Sequence, residues 1–187
     1  MLYKRIMEFR IILVTMIVGV AGHVYACKCG GPWSVEEEFV DTELIVQGKV
    51  ISKALVALQE TLTQDEVSGV KERLKGDDQK LQFLESYYVF EIKIEITEKY
   101  KGTVVRDTVT IYTEQKAASC GYRFQKGKIY IVYGSKKSDI GFMFLPRADI
   151  DKGLEKENTF WTSHCTRTTE YNRSEADKLR KLKIKGG

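Results

Sequence analysis

The chain has 187 residues, of which 43% are hydrophobic and 30% charged, with a formal charge of +4. That length suits one domain with a core of its own, and the composition excludes a disordered chain, a collagen-like repeat and a multi-span membrane protein. Two prolines exclude a Pro-rich stalk. Residues 1–26 read as a signal peptide: three basic residues in Met1–Arg10, an uncharged run over Ile11–Gly22, then Val24 and Ala26 at the −3 and −1 positions. The run is too short for the ~20 apolar residues of a membrane span. Cleavage after Ala26 removes Lys4, Arg5, Arg10 and Glu8, leaving 27 basic and 25 acidic residues. Such balance gives no case for nucleic acid as a partner. Residues 27–187 are expected to form one secreted domain, a monomer.

All four cysteines lie in that domain: Cys27, Cys29, Cys120 and Cys165. An even count in an exported chain reads as two disulfides. Residues two apart on a strand stand roughly 6–7 Å apart at Cα on a stiff backbone, so Cys27–Cys29 is a poor pair. The N-terminal cysteines are therefore expected to reach Cys120 and Cys165. A Cys-x-Cys redox or metal-transfer motif is the weaker alternative, with no second cluster or thiolate-stabilising context in sight.

Strands follow in order. Glu43–Ser52 has an apolar centre with a glycine that suggests a bend. Gln59–Lys80 is rich in charge, Gly, Asp and Gln, and reads as an exposed excursion with a helical turn near Val70–Leu74. Tyr87–Tyr100 alternates, with Phe90, Ile92, Ile94 and Ile96 on one face and Val89, Glu91, Lys93, Glu95 and Thr97 on the other. Thr108–Thr113, Lys128–Tyr133 and Gly141–Leu145 complete five strands. Without interleaved helices, they suggest a small closed antiparallel barrel. At the end, Ser174 and Asp177 resemble a capping box. They open a short helix over Glu175–Ile184, with Ala176, Leu179 and Leu182 on its apolar side. Its lysines and arginine are read as solvated charges.

Little in the chain suggests catalysis. His23 lies in the signal peptide, and His164 beside Cys165 is alone, which argues against a His-based metal site or triad. Glu36, Glu37 and Glu38 are consecutive and splay apart on a helix, so paired acid–base work is not implied. Asn172-Arg173-Ser174 is a glycosylation sequon. No enzyme and no cofactor are expected.

The N-terminus is more informative. Cys27-Lys28-Cys29 directly after a signal peptide resembles the start of the tissue inhibitors of metalloproteinases. The likeness continues in Val46–Val50, in Tyr88–Gly102 with its Tyr100-Lys101-Gly102 end, in Ala118–Tyr122 with Cys-Gly-Tyr, in Gly127–Tyr130, and in Thr162–Thr166 around Cys165. It covers most of Cys27–Thr169. It implies the netrin-like OB-fold, a mainly β, five-stranded closed antiparallel barrel with a short C-terminal helix. It also implies the pairings Cys27–Cys120 and Cys29–Cys165.

The implied function is inhibition of a zinc metalloprotease. The α-amino nitrogen and carbonyl oxygen of Cys27 would close a five-membered ring on the target's zinc, displacing the water that serves as nucleophile. The only metal involved belongs to the target. Lys28 would enter its specificity pocket. Family members commonly carry a small or hydroxyl residue at this position, so an acidic or open pocket suits Lys28. The chain also lacks a cysteine in Gly30–Val40 and any cysteine-rich C-terminal subdomain, and so looks like a minimal inhibitory domain. Three other classes compete with this reading. One is a netrin-like binding module without a protease target. Another is a lipoprotein anchored to a membrane through Cys27, although Tyr25 makes Val24–Cys27 a poor lipobox. The third is an OB-fold for oligonucleotide or glycan, with Tyr112, Tyr130 and Tyr133 at core-like spacing and no basic stripe.

Overall fold

The computed structural model of the chain describes residues 29–30, 33–115, 120–137 and 156–186. The segment read as a signal peptide, Cys27, Lys28 and the strand expected at Gly141–Leu145 lie outside these residues. Helix α1 covers Val35–Asp41, β1 Leu44–Ala57, α2 Gln64–Arg73 and α3 Asp78–Ser86. Then come β2 (Tyr88–Lys101), β3 (Thr108–Glu114), β4 (Ile129–Gly134), β5 (Thr159–Trp161), β6 (Thr169–Glu170) and α4 (Arg173–Gly186). A 3-10 turn, Leu58–Thr61, follows β1.

The six strands form one curled sheet in the order β5-β3-β2-β1-β4-β6. Its backbone is the long β1–β2 hairpin, with register shifts at three points that bend it, one of them between Gln47 and Gly48. A Cβ at Gly48 would lie 2.4 Å from the Glu95 carbonyl oxygen, so the bend needs glycine. The expected closed five-stranded antiparallel barrel is not what forms. β5 runs parallel to β3. The free edge of β4 pairs only Tyr130 and Ile131 with β6. Beyond them, Ser135 and Trp161 exchange a pair of backbone hydrogen bonds at 2.9 and 2.7 Å. β5 has three residues and β4 six, too few for a continuous ladder to close the curl.

Three apolar clusters hold the sheet. The concave face gathers Leu44, Val46, Val50, Ile92, Ile94, Val109, Ile111, Phe124, Tyr130, Val132 and Phe160. The convex face is covered twice. α1 and α4 pack Val35, Ala176 and Leu179 on Ile45, Ile131 and Tyr133. The Gln59–Lys80 segment is not an exposed excursion: it belongs to two capped helices whose Val70, Leu74 and Leu84 pack with Val89, Tyr112 and Trp161. Thr63 and Glu66 form a capping box at α2, and Asp77 accepts from the Lys80 amide at α3. Val89 was expected on the solvent side; these helices bury it completely.

α4 starts earlier than expected. Asn172 provides its cap, accepting from the Ser174 amide at 2.9 Å, so Ser174 is already helical and no Ser174–Asp177 box opens the helix. Arg180 then forks onto Glu98 at 2.9 and 2.6 Å, and Tyr100 donates to Gln47 and Glu98. The Arg180 hydrogen bond is the main reason the Glu98 carboxyl is held below its usual range.

Tyr100-Lys101-Gly102 has a clear structural role. The Lys101 ammonium donates to the carbonyls of Phe39 and Val40 at 2.6 and 2.8 Å, capping the end of α1. Gly102 has φ +89°, and a Cβ there would lie 2.4 Å from the Glu43 carbonyl oxygen. Gly102→Ala is expected to cost about 2 kcal/mol or more, from positive-φ strain plus overlap with backbone. Urea unfolding with unchanged m-value checks this; a loss below about 0.5 kcal/mol would contradict the close approach.

Candidate functional site

The candidate site is the end of the sheet where the chain enters and the β5–β6 loop returns. Cys29 is bonded to Cys165 across 136 residues, with Cα atoms 5.1 Å apart. This is the pairing implied by the family resemblance. A loop that long is worth about 5 kcal/mol in the chain-entropy account. Cys120 is also disulfide-bonded. The partner expected for it, Cys27, lies outside the described residues. The Cys120 and Cys165 sulfurs are 3.8 Å apart. Their backbones are locked together as well, since the His164 amide donates to the Cys120 carbonyl at 2.6 Å. Cys120 has φ +64°, a left-handed conformation that few side-chain-bearing residues adopt.

A chain of hydroxyls positions Cys165. Thr162 lies 2.7 Å from the Thr168 hydroxyl and 3.0 Å from that of Thr166, and it donates to the Tyr133 carbonyl at 2.8 Å. Thr168 accepts from the Tyr133 amide at 3.0 Å, and Thr166 donates to the Ser163 carbonyl. The short loop is thereby stitched to the end of β4, where no β ladder reaches it.

Arg167 ties the entering chain to this loop. Its guanidinium grips Glu175 of α4 through Nε at 3.2 Å and Nη2 at 2.8 Å. Nη1 donates to the Trp33 carbonyl. Tyr133 donates to Glu175 Oε1 at 2.7 Å. Burial above all, then the bond to Glu175, pushes the Tyr133 phenol far upward, so it stays a donor. Glu175 is thus a buried carboxylate with three donors, the arrangement a buried charge requires. Glu38 is different: burial pushes its carboxyl upward despite the Arg167 amide and the Thr42 hydroxyl.

Between these groups runs an open groove of about 370 Å³, lined by Cys29, Cys165, His164, Trp33, Arg167 and the threonines of the loop. Among the described residues, no group of three or more His, Cys, Asp or Glu side chains is placed to hold a metal ion. No helix there is long and apolar enough to cross a membrane.

No protein-family model matches the chain, and no characterised protein matches it in sequence. The site therefore rests on its own geometry. Of the residues expected to matter, Cys29, Cys120 and Cys165 converge on one point, while Cys27 and Lys28 fall outside the described residues. Sequence reasoning overlooked Arg167, Glu175 and the threonines. The Ser34–Glu37 capping box of α1, with bonds of 2.8 and 3.1 Å, was open to detection as Ser-x-x-Glu. Nothing in the sequence linked Arg167 to Glu175 or Trp33.

Two outcomes follow from the arginine cluster. Arg167→Ala leaves Glu175 buried without its cation and is expected to cost about 3 kcal/mol, with Arg167→Lys recovering only part because lysine cannot form the fork. Equal stability of Arg167→Ala and wild type in urea would contradict this. Glu38, with its folded-state pKa raised, favours folding when protonated. That contribution is present below its unfolded value and lost as pH rises through the folded one. Glu38→Gln is expected to flatten that decline on the neutral side of pH 4.5, read as the difference between the two stability–pH curves.

Proposed function

We propose that the protein is an exported inhibitor of zinc metalloendopeptidases, acting through a free Cys27 at the mature N-terminus. One observation carries this reading: the Cys120 sulfur lies 3.8 Å from Cys165, and Cys165 is bonded to Cys29. A Cys-x-Cys segment bridged at both positions would be anchored rigidly at that spot. Within this chain, Cys27 is the sulfur that remains for Cys120, and a lipid thioether on Cys27 would remove it. Preorganisation of this kind lowers the ordering cost of binding. The amine and carbonyl of Cys27 would then chelate the target's zinc, with Lys28 directed away from the disulfides into the specificity pocket. The inhibitor needs neither a metal nor a catalytic group of its own. The curled sheet, with β5 parallel to β3 and touching the end of β4, supports placing the fold with the netrin-like OB type, in a partly open form.

The test is a pair of proteins, native and extended by one alanine before Cys27, assayed on a panel of zinc proteases. Extension converts the amine into an amide with no lone pair for zinc. Inhibition is expected to weaken at least tenfold, about 1.4 kcal/mol, while both disulfides survive. Native inhibition is also expected to weaken below neutral pH, because zinc competes with a proton on a group titrating near ~7.7–8.0. Equal inhibition by both forms contradicts chelation by Cys27. Absence of inhibition by either favours a netrin-like binding module.

A further inference from the structure

Two bridges meet at one point, bringing the sulfurs of Cys29, Cys165 and Cys120 together. We propose that Cys29, Cys165 and Cys120 form an exchange relay, in which Cys165 trades Cys29 for Cys120 while the domain stays folded. Thiol–disulfide exchange needs a thiolate close to a disulfide sulfur, with access and a leaving thiol. Cys120 Sγ is already 3.8 Å from Cys165 Sγ. The His164–Cys120 backbone bond of 2.6 Å and the threonine stitching keep both loops in place during the exchange. Cys29, Cys120 and Cys165 are all only partly buried. An open groove borders Cys29 and Cys165, which gives an external thiol access to these sulfurs. The left-handed backbone at Cys120 is a strained conformation held by its surroundings, as is common at working positions.

The steps balance with an external thiol as the only reductant. Its thiolate attacks the sulfur bonded to Cys120, forms a mixed disulfide there, and releases Cys120 as thiolate. Cys120 then attacks Cys165 Sγ. The Cys120–Cys165 bond forms, the Cys29–Cys165 bond breaks, and the electron pair leaves on Cys29, which takes a proton from water. No further oxidant or reductant enters. The β4-side loops remain stapled to each other, and the N-terminal segment is released from its covalent anchor. Loss of inhibition on release is a consequence that rests on the function proposed above; the exchange itself does not.

The experiment treats the intact oxidised protein with limiting glutathione at mildly alkaline pH. Samples are quenched in acid over time, alkylated and mapped by peptide mass, with circular dichroism recorded in parallel. The expected result is a Cys120–Cys165 peptide with Cys29 alkylated, appearing while the near-ultraviolet signal is still native. As a companion, Cys27→Ser/Cys120→Ser keeps Cys29–Cys165 without its internal attacker. Its Cys29 is expected to become alkylatable on the order of tenfold more slowly, since a tethered thiol acts at an effective concentration in the millimolar range. Direct passage to free thiols with no Cys120–Cys165 species, or its appearance only in concentrated urea, would overturn the relay. Because this readout is covalent, a protein that inhibits no protease can still pass it. A protein that fails it can still inhibit.

Discussion

The covalent bond between Cys29 and Cys165 is the constraint on which the rest of the site depends. The chain before α1 contributes no strand to the sheet among the described residues, so nothing in the ladder fixes it. One disulfide and the Arg167 contact to the Trp33 carbonyl do so instead. Arg167 shares its charge with Glu175 of α4. The two terminal helices, packed on the sheet through Val35, Ala176 and Leu179, are thus also tied to the β5–β6 loop by one cluster of groups. Such a cluster is costly to half-satisfy, and no buried side-chain polar atom among the described residues lacks a partner.

The curled sheet provides the platform for that cluster. The β1–β2 hairpin supplies length, and its bulges and Gly48 supply curvature. β4 is buried on both faces because α1 and α4 cover the side that a simple barrel would leave to water. Its far end, where β-pairing runs out, is where the threonine hydroxyls take over from backbone partners. The irregular loop that results can set Cys165 beside Cys120 of the β3–β4 connection, with the sulfurs 3.8 Å apart.

The sequence revealed these features unevenly. Alternation in Tyr87–Tyr100 located β2, because period 2 is a strong signal where one face is wet. Ala176, Leu179 and Leu182 revealed the inner face of α4 for the same reason at helical period. The Gln59–Lys80 segment was misread because its sparse leucines and valines are outnumbered by charge, and their shared face appears only once both helices pack on Val89 and Tyr112. β5 and β6, of three and two residues, are too short to carry a pattern. The cysteines were legible by count and spacing. The Arg167–Glu175 fork was not, since ion pairs between a loop and a helix leave no periodic trace.

The sulfur–arginine cluster holds the chain ahead of α1 and adds to the packing that seats α1 on the sheet. Hydrogen exchange on the oxidised protein and on its fully reduced, alkylated form tests this most directly. Reduction is predicted to strip protection from the His164 amide, which donates to Cys120, and to lower that of the α1 amides, while the amides of β1, β2 and β3 keep theirs. Uniform loss across the sheet, or unchanged protection of α1, would contradict the claim.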